Sequence, residues 1–457
     1  MEFILNPDRE RMELALTVAL LVNGRTVFED FSFAAGVEPY ARALQEFGLS
    51  YVQQGHQLVL TGKGFQYPLP SLLPIDLGES RLVMLWTLAS KDVEQVYTFA
   101  AEEGEAGEGA VRAAKELLQK YFKVKPVVDE PAKFTFTFAA EEPALKKDSL
   151  GNVSYLMRNR LLLRTLVRGE YLSFEEKGSV HDQWTKMLMY FGVNLRYEGR
   201  GMEQLTELER RMMMARGQKI ERTQFTELSE TPVITGRDYF IPGDTTEAMA
   251  FVLLTTVAGV PKNTEVCLKN VDLNGSRAGA LTCLKRMGGN FETVSRRERF
   301  GDVYGDIMVY PLASGKRLQG RRFSEDTMAT GLEEFPFLAV AACFAEGETI
   351  LRIPKEIRKE MRAVNEALAE NLRKTGAEVG VYDDGLVIRG LETIVNGSDF
   401  DGGDVPQNGL ALAVLSIALE NDEPVGHSEI VEANYPGVLQ KLKDLVAAAS
   451  AKPEATT

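Results

Sequence analysis

Four stretches of this chain repeat one order of apolar and polar positions. Each opens with a helix-length run that is apolar nearly all round and passes through a glycine. A short alternating segment follows, then an amphipathic segment with a period of three to four, a second glycine and another alternating segment. The stretches are "LALTVALLVNGRTVFED…YARALQEFGLSYV", "LLLRTLVRGEYLSFEE…WTKMLMYFGVNLRY", "FVLLTTVAGVPKNTEVCLKNVDLNGSRAGALTCLKRMGGNFETV" and "FLAVAACFAEGETILRI…VNEALAENLRKTGAEVGVY". Fainter copies start near Leu82 and Leu410, which makes about six units of one supersecondary pattern.

The physics of one unit is readable. A helix that is apolar all round must be buried. Gly24, Gly169 and Gly347 follow such helices and suit a C-cap that needs positive φ. In the next segment Thr349, Leu351 and Ile353 alternate with Ile350 and Arg352, the period of a strand with one buried face. Val364, Leu368 and Leu372 mark the core face of an amphipathic helix. Gly376 ends that helix, and "AEVGVYDDGLVIRG" predicts a hairpin with an Asp-Gly turn. One unit cannot bury its own apolar helix, so several must pack together. The pattern predicts an α/β protein.

Composition narrows the class. A chain of 457 residues has room for two or three domains. With 44% hydrophobic and 26% charged residues it reads as soluble and globular. The longest apolar runs, such as Phe335 to Ala345, have the length of buried helices, so no membrane association is expected. The opening "MEFILNPDRE" lacks the basic-then-apolar order of a signal peptide. Cys267, Cys283 and Cys343 sit inside apolar patterns and read as reduced thiols of a cytoplasmic protein. They and the widely spaced His56, His181 and His427 do not make a zinc site. A net charge of −14 argues against nucleic acid as a partner. It leaves room for a small anion in a locally basic cleft. No protein partner is specified.

The stretch "IPGDTTEAMAFVLLTTVAGVPKNTEVCLKNVDLNGSRAGALTCLKRMGGNFE" (Ile241 to Glu292), with "EEFPFLAVAACFAEGETILR" and "AENLRKTGAEV", resembles the 5-enolpyruvylshikimate-3-phosphate synthase family. That resemblance implies a two-globe inside-out α/β barrel of six βαβαββ repeats. Residues 10–240 would form the first globe. Residues 1–9 with 243–445 would form the second, and 446–457 a disordered tail. A double hinge would fall near Asp8 to Arg11 and at Pro242-Gly243. Helix N-termini would face an inter-globe cleft, where their partial positive charge favours anions. The implied reaction moves an enolpyruvyl group from phosphoenolpyruvate to shikimate 3-phosphate, without metal or cofactor. Such a site needs several Arg and Lys for the phosphates and carboxylate. It also needs groups to carry protons.

Set against the family's motifs, much of that machinery is substituted. In "NPDRERMEL" the Lys position holds Arg9, the adjacent Ser Glu10 and the later Arg Leu14. In "DLGESRL" Asp76 and Gly78 persist, while Glu79, Arg81 and Leu82 replace Asn, Gly and Thr. Glu102, Glu103, Glu105 and Glu108 crowd the loop where a phosphate-binding Arg would stand. In "VHDQWTKML" Asp182 and Lys186 remain, and His181 and Gln183 replace Arg and His. In "EEFP" Glu333 takes the place of the proposed proton carrier. In "EIRKEMRAV" Arg358 is retained, while Glu360, Met361 and Val364 replace Lys, Glu and Arg. Asp404 survives beside Pro406 and Gln407, and Ala433 replaces a final Lys.

The resemblance therefore implies Glu333 as the catalytic candidate and Arg9, Arg277, Arg358 and Asp182 as substrate-binding candidates. It identifies the chain as a divergent, pseudoenzyme-like member, inactive in ordinary enolpyruvyl transfer or changed in ligand. Two alternatives stay open. One is an active 3-phosphoshikimate 1-carboxyvinyltransferase of the shikimate pathway, with a site rebuilt from Arg9, Arg11, Arg277, Glu333 and Arg358. The other is an interaction scaffold, for which the Met-rich stretch Thr206 to Gln224 offers a partner-binding helix.

Overall fold

The computed structural model describes residues 1–31, 33, 36–140, 155–177, 182–200, 212, 223–258, 260–261, 264–391, 397–421 and 423–450. The chain divides into two compact units, residues 10–33 with 37–241, and residues 1–9 with 34–36 and 242–457. Its two main crossings are at Arg9/Glu10 and at Ile241/Pro242, apart from the short excursion of residues 34–36. His181 and nearly all of the stretch 206–224 fall outside the described residues.

The unit of residues 10–241 holds three copies of one pattern. In the first, helix Arg9–Leu21 leads to strand Val22–Glu29, helix Glu38–Glu46 and hairpin Ser50–Gln54/Gln57–Lys63. In the second, helix Glu79–Ala89 leads to Tyr97–Ala100, Glu105–Tyr121 and Val124–Glu130/Lys133–Phe138. In the third, Tyr155–Arg168 leads to Leu172–Lys177, Gln183–Tyr190, Leu195–Arg200 and Thr223–Leu228. In every copy the last strand lies between the other two and runs antiparallel to both.

The unit of residues 242–450 has two such copies. They are Thr245–Val257, Val266–Asp272, Gly279–Met287 and Phe291–Arg299/Asp302–Val309, then Phe335–Phe344, Glu348–Arg352, Arg358–Arg373 and Glu378–Tyr382/Gly385–Arg389. Strand Glu2–Ile4 adds to the first of these sheets, parallel to Val266–Asp272. The copy expected from Leu410 differs. Helix Pro406–Ala418 is followed by helices Ser428–Asn434 and Val438–Ser450, and no strand follows it among the described residues. The tail expected to be disordered from 446 is corrected accordingly. Residues 446–450 complete the last helix, because Leu442 and Leu445 are buried and Val446 packs against the core.

The first helix of each copy behaves as its pattern requires. Every residue from Phe335 to Cys343 is buried, as is every residue from Thr245 to Thr256. These two helices and Pro406–Ala418 pack on one another and form the centre of their unit. Two local expectations shift. Gly24 has positive φ as expected but lies inside strand Val22–Glu29 rather than at a helix cap. The hairpin turn is Asp383-Asp384, with Gly385 (φ 139°) opening the second strand opposite Tyr382.

The two chain crossings are paired with each other. Pro7 bridges Gly243, and the Asp8 N–H donates to the Pro242 carbonyl at 3.1 Å. A Cβ on Gly243 would lie 2.9 Å from the Leu5 Cβ, so only glycine allows this approach.

Leu338 lies fully buried at the centre of the helical core. Leu338→Ala is expected to cost about 2–5 kcal/mol through lost burial and the cavity left behind, measured as a lower urea midpoint for loss of structure.

Candidate functional site

The sequence "GDTTE" starts the most buried helix of its unit, and its charges organise the site. Asp244 is the N-cap, accepting from the Thr246 and Glu247 N–H groups at 2.6 and 3.1 Å. This satisfies two donors that the helix cannot pair internally. The spacing Asp244-x-x-Glu247 is that of a capping box. Glu247 instead accepts from the Asn6 N–H at 2.7 Å and from Lys441 Nζ at 3.3 Å. It thereby ties the N-terminal segment and the last helix to this one. Thr246 Oγ1 donates to Glu334 Oε1 at 2.8 Å.

Arg277 is the centre of the cluster. It follows strand Val266–Asp272 in a turn closed by its N–H donating to the Asn274 carbonyl at 2.9 Å. Its side chain is only 2% exposed. Nη1 lies 2.7 Å from Glu333 Oε2, and Nη2 lies 3.3 Å from Glu334 Oε1 and 3.9 Å from Asp8 Oδ2. Burial opposes a charged guanidinium. Glu333, Glu334, Asp8 and Asp244 outweigh it and hold Arg277 charged, its pKa raised well above the ordinary value.

Asp8, Asp244, Glu333 and Glu334 all face the Arg277 guanidinium, and burial acts on the acids as well. Burial pushes Glu334 up to about 7, against the pull of Arg277 and with help from Glu333. Burial and the neighbouring Asp8 raise Asp244 well above the usual carboxylate range. Burial also raises Glu247, opposed by Lys441 and Asn6, and the Tyr435 hydroxyl, which faces the same carboxylates. Protonation is the relief a buried acidic group finds when partners are too few.

Of the five candidate residues, Glu333 and Arg277 meet in this cluster. Arg358 does not join them. Its Nη2 lies 2.5 Å from Glu325 Oε1 and its Nε donates to the Ile353 carbonyl at 3.1 Å. Arg9 donates to Asn434 Oδ1. Asp182 belongs to the other unit, where it precedes helix Gln183–Tyr190 and pairs with Lys186 at 2.9 Å. The substituted positions are also placed. Glu360 is exposed in the first turn of helix Arg358–Arg373, and Val364 is half-buried on it. Ala433 lies in helix Ser428–Asn434. Arg81 has become half of a buried ion pair, its Nε 2.6 Å from Glu13 Oε1.

Sequence reasoning missed Glu334, Glu247 and Lys441 as members of this network, and took Asp8 only as part of a hinge. Two signals were available: the capping-box spacing at Asp244, and a second acid immediately before an all-apolar helix. Among the described residues no group of three or more His, Cys, Asp or Glu is arranged to hold a metal ion. Cys267, Cys283 and Cys343 are free and buried, and burial pushes the thiols of Cys283 and Cys343 up to about 12. No helix among the described residues is long and apolar enough to cross a membrane.

A family model described as EPSP synthase (3-phosphoshikimate 1-carboxyvinyltransferase) matches residues 182–442. The 3-phosphoshikimate 1-carboxyvinyltransferase of Bacillus velezensis is 25% identical over 449 residues, 96% of this chain and 95% of that one. That of Synechococcus sp. is 32% identical over 218 residues, 48% of this chain and 47% of that one. Among solved structures, an EPSP synthase from Acinetobacter baumannii superposes with a TM-score of 0.71 at 19% identity, covering 98% of this chain and 95% of that one. The enolpyruvyl transferase NikO from Streptomyces tendae gives 0.59 at 13% identity, covering 99% and 95%. These likenesses show the fold, the inside-out α/β arrangement.

Two outcomes follow for the cluster. Glu334 and Asp244 bind protons more tightly folded than unfolded. Their contribution to stability is therefore complete below the ordinary carboxyl range and lost as pH rises through their raised folded-state pKa values, which for Glu334 is about 7. Denaturant unfolding from about pH 5 to about pH 8 should show stability falling with pH, and Glu334→Gln should flatten that slope. Arg277→Met leaves the carboxylates buried without a counter-ion and should cost about 3–5 kcal/mol at neutral pH.

Proposed function

We propose, from the premise that this chain belongs to the EPSP synthase (3-phosphoshikimate 1-carboxyvinyltransferase) family, that it does not carry out ordinary enolpyruvyl transfer and serves a changed ligand. One observation carries this reading: the buried Arg277 guanidinium is already enclosed by Asp8, Asp244, Glu333 and Glu334.

Phosphoenolpyruvate and shikimate 3-phosphate are both multiply anionic. Gripping them takes cations free to donate charge-assisted hydrogen bonds. Here Arg277 is neutralised by its own framework, and Arg358 is committed to Glu325. Glu360 places a carboxylate in the first turn of helix Arg358–Arg373. Negative charge is favourable at that end of a helix, so the side chain occupies electrostatically what an anionic ligand would use. Each lost partner of a phosphate removes about 1.5–3 kcal/mol. Several losses together exceed what the remaining contacts supply. The group of the cluster that reaches solvent is Glu333, 37% exposed.

The test is direct. The purified chain, mixed with phosphoenolpyruvate and shikimate 3-phosphate, should release no phosphate above the uncatalysed background. Calorimetric titration with each substrate should give no saturable heat. Introduced into a strain lacking its own synthase, the gene should not restore growth without aromatic amino acids. Sustained turnover, or growth of that strain, would establish the alternative of a rebuilt active site.

A further inference from the structure

The Arg277 cluster is one end of a short segment whose other end has the opposite electrostatics. Helix Gly279–Met287 lies against strand Phe291–Arg299, and a cavity of about 630 Å3 opens between them. Its volume falls in the range that holds a small organic ligand.

Its floor is apolar: Leu273, Leu281, Phe291 and Ile307 line it. Three cations stand around it, Lys285, Arg286 and Arg296, against the single acid Glu292. Among the described residues none of the three has an ion pair. Arg277, Arg352, Arg358 and Lys441 of the same unit each have one, whereas Arg317, Arg373 and Lys374 bond backbone carbonyls instead. Glu292 forms no ion pair with any of them; its carboxylate accepts from the Tyr310 hydroxyl at 3.2 Å and offsets one charge of the three, leaving the lining net positive. Lys285 donates to the Phe291 carbonyl and lies 4.9 Å from that ring, while Arg286 sits 5.0 Å over Phe323. Both are in the last turn of their helix, where positive charge suits the dipole. The Arg296 side chain has no such structural duty. It is exposed on the edge strand of its sheet, where its backbone pairs opposite Gly305, and its guanidinium has no hydrogen bond or ion pair among the described residues. In a chain of net charge −14, three unpaired cations around one apolar hollow are a local reversal of sign.

We propose that this cavity binds a small amphipathic anion, an aryl or alkyl group carrying one carboxylate or phosphate. The apolar part fills the space over Leu281, Phe291 and Ile307. The charged head is held by Arg296, with Lys285 and Arg286 alongside. The proposal stands on this cavity alone and does not depend on whether enolpyruvyl transfer occurs.

The probes are 1-naphthoate and 1-naphthyl phosphate, titrated calorimetrically into the full chain. 1-Naphthylmethanol and inorganic phosphate serve as half-ligands. The naphthyl anions should bind at one site, each at least about tenfold more tightly than either half-ligand. Preference between the two identifies the head group. Thr282→Trp fills the cavity from an exposed helix position, and Arg296→Ser removes the unpaired charge from an exposed strand position. Each should weaken binding about tenfold or more while leaving the far-ultraviolet circular dichroism and the urea midpoint unchanged. Absence of saturable binding, equal affinity for the neutral alcohol, or binding that survives both substitutions would overturn the proposal.

Discussion

Burying a guanidinium obliges the chain to bring carboxylates to it. An unpaired charge in a dry interior costs several kcal/mol, so Arg277 cannot sit at 2% exposure alone. The partners it collects come from three separated places: Asp8 from the N-terminal segment, Asp244 from a helix cap, and Glu333 and Glu334 from the turn before another buried helix. The rest of this unit is arranged around that requirement. Gly243 lets the N-terminal segment lie against the chain's second crossing, and Glu247 with Asn6 and Lys441 ties that segment to the last helix.

The same constraint underlies the proposed change of ligand. A cation used to satisfy buried carboxylates is not available to a phosphate. Burial raises the pKa of two members of the cluster, Asp244 and Glu334, so they bind protons more tightly than ordinary carboxylates. Retaining an Arg at a family position therefore says little by itself. Arg277 and Arg358 both persist, and both are spent on neighbours within the fold. Lys285, Arg286 and Arg296, which have no carboxylate partner among the described residues, lie instead beside an apolar cavity on helix Gly279–Met287.

The fold was largely legible because its signals are local. An all-apolar run such as Phe335 to Cys343 has one solution, burial on every side. The alternation at Thr349, Leu351 and Ile353 and the helical spacing at Leu368 and Leu372 correspond to the buried positions found. Errors arose where an element's fate depends on its neighbours. The residues after Leu410 became helices because the core in front of them accepts helices, and Leu445 and Val446 pack there. Gly24 was read as a cap because its strand begins without a break after the helix.

What the sequence by itself determined is the repeat, the class of most elements and the likeness to one family. Periodicity and residue identity are properties of neighbours along the chain, and they survive without a third dimension. What only the tertiary structure decided is which charges meet. Arg277 and Glu334 are 57 positions apart, and no spacing rule couples them. Coulomb's law acts through space and strengthens as water is excluded, so the same arginine could have gripped a ligand or been buried among acids. Folding placed it among acids.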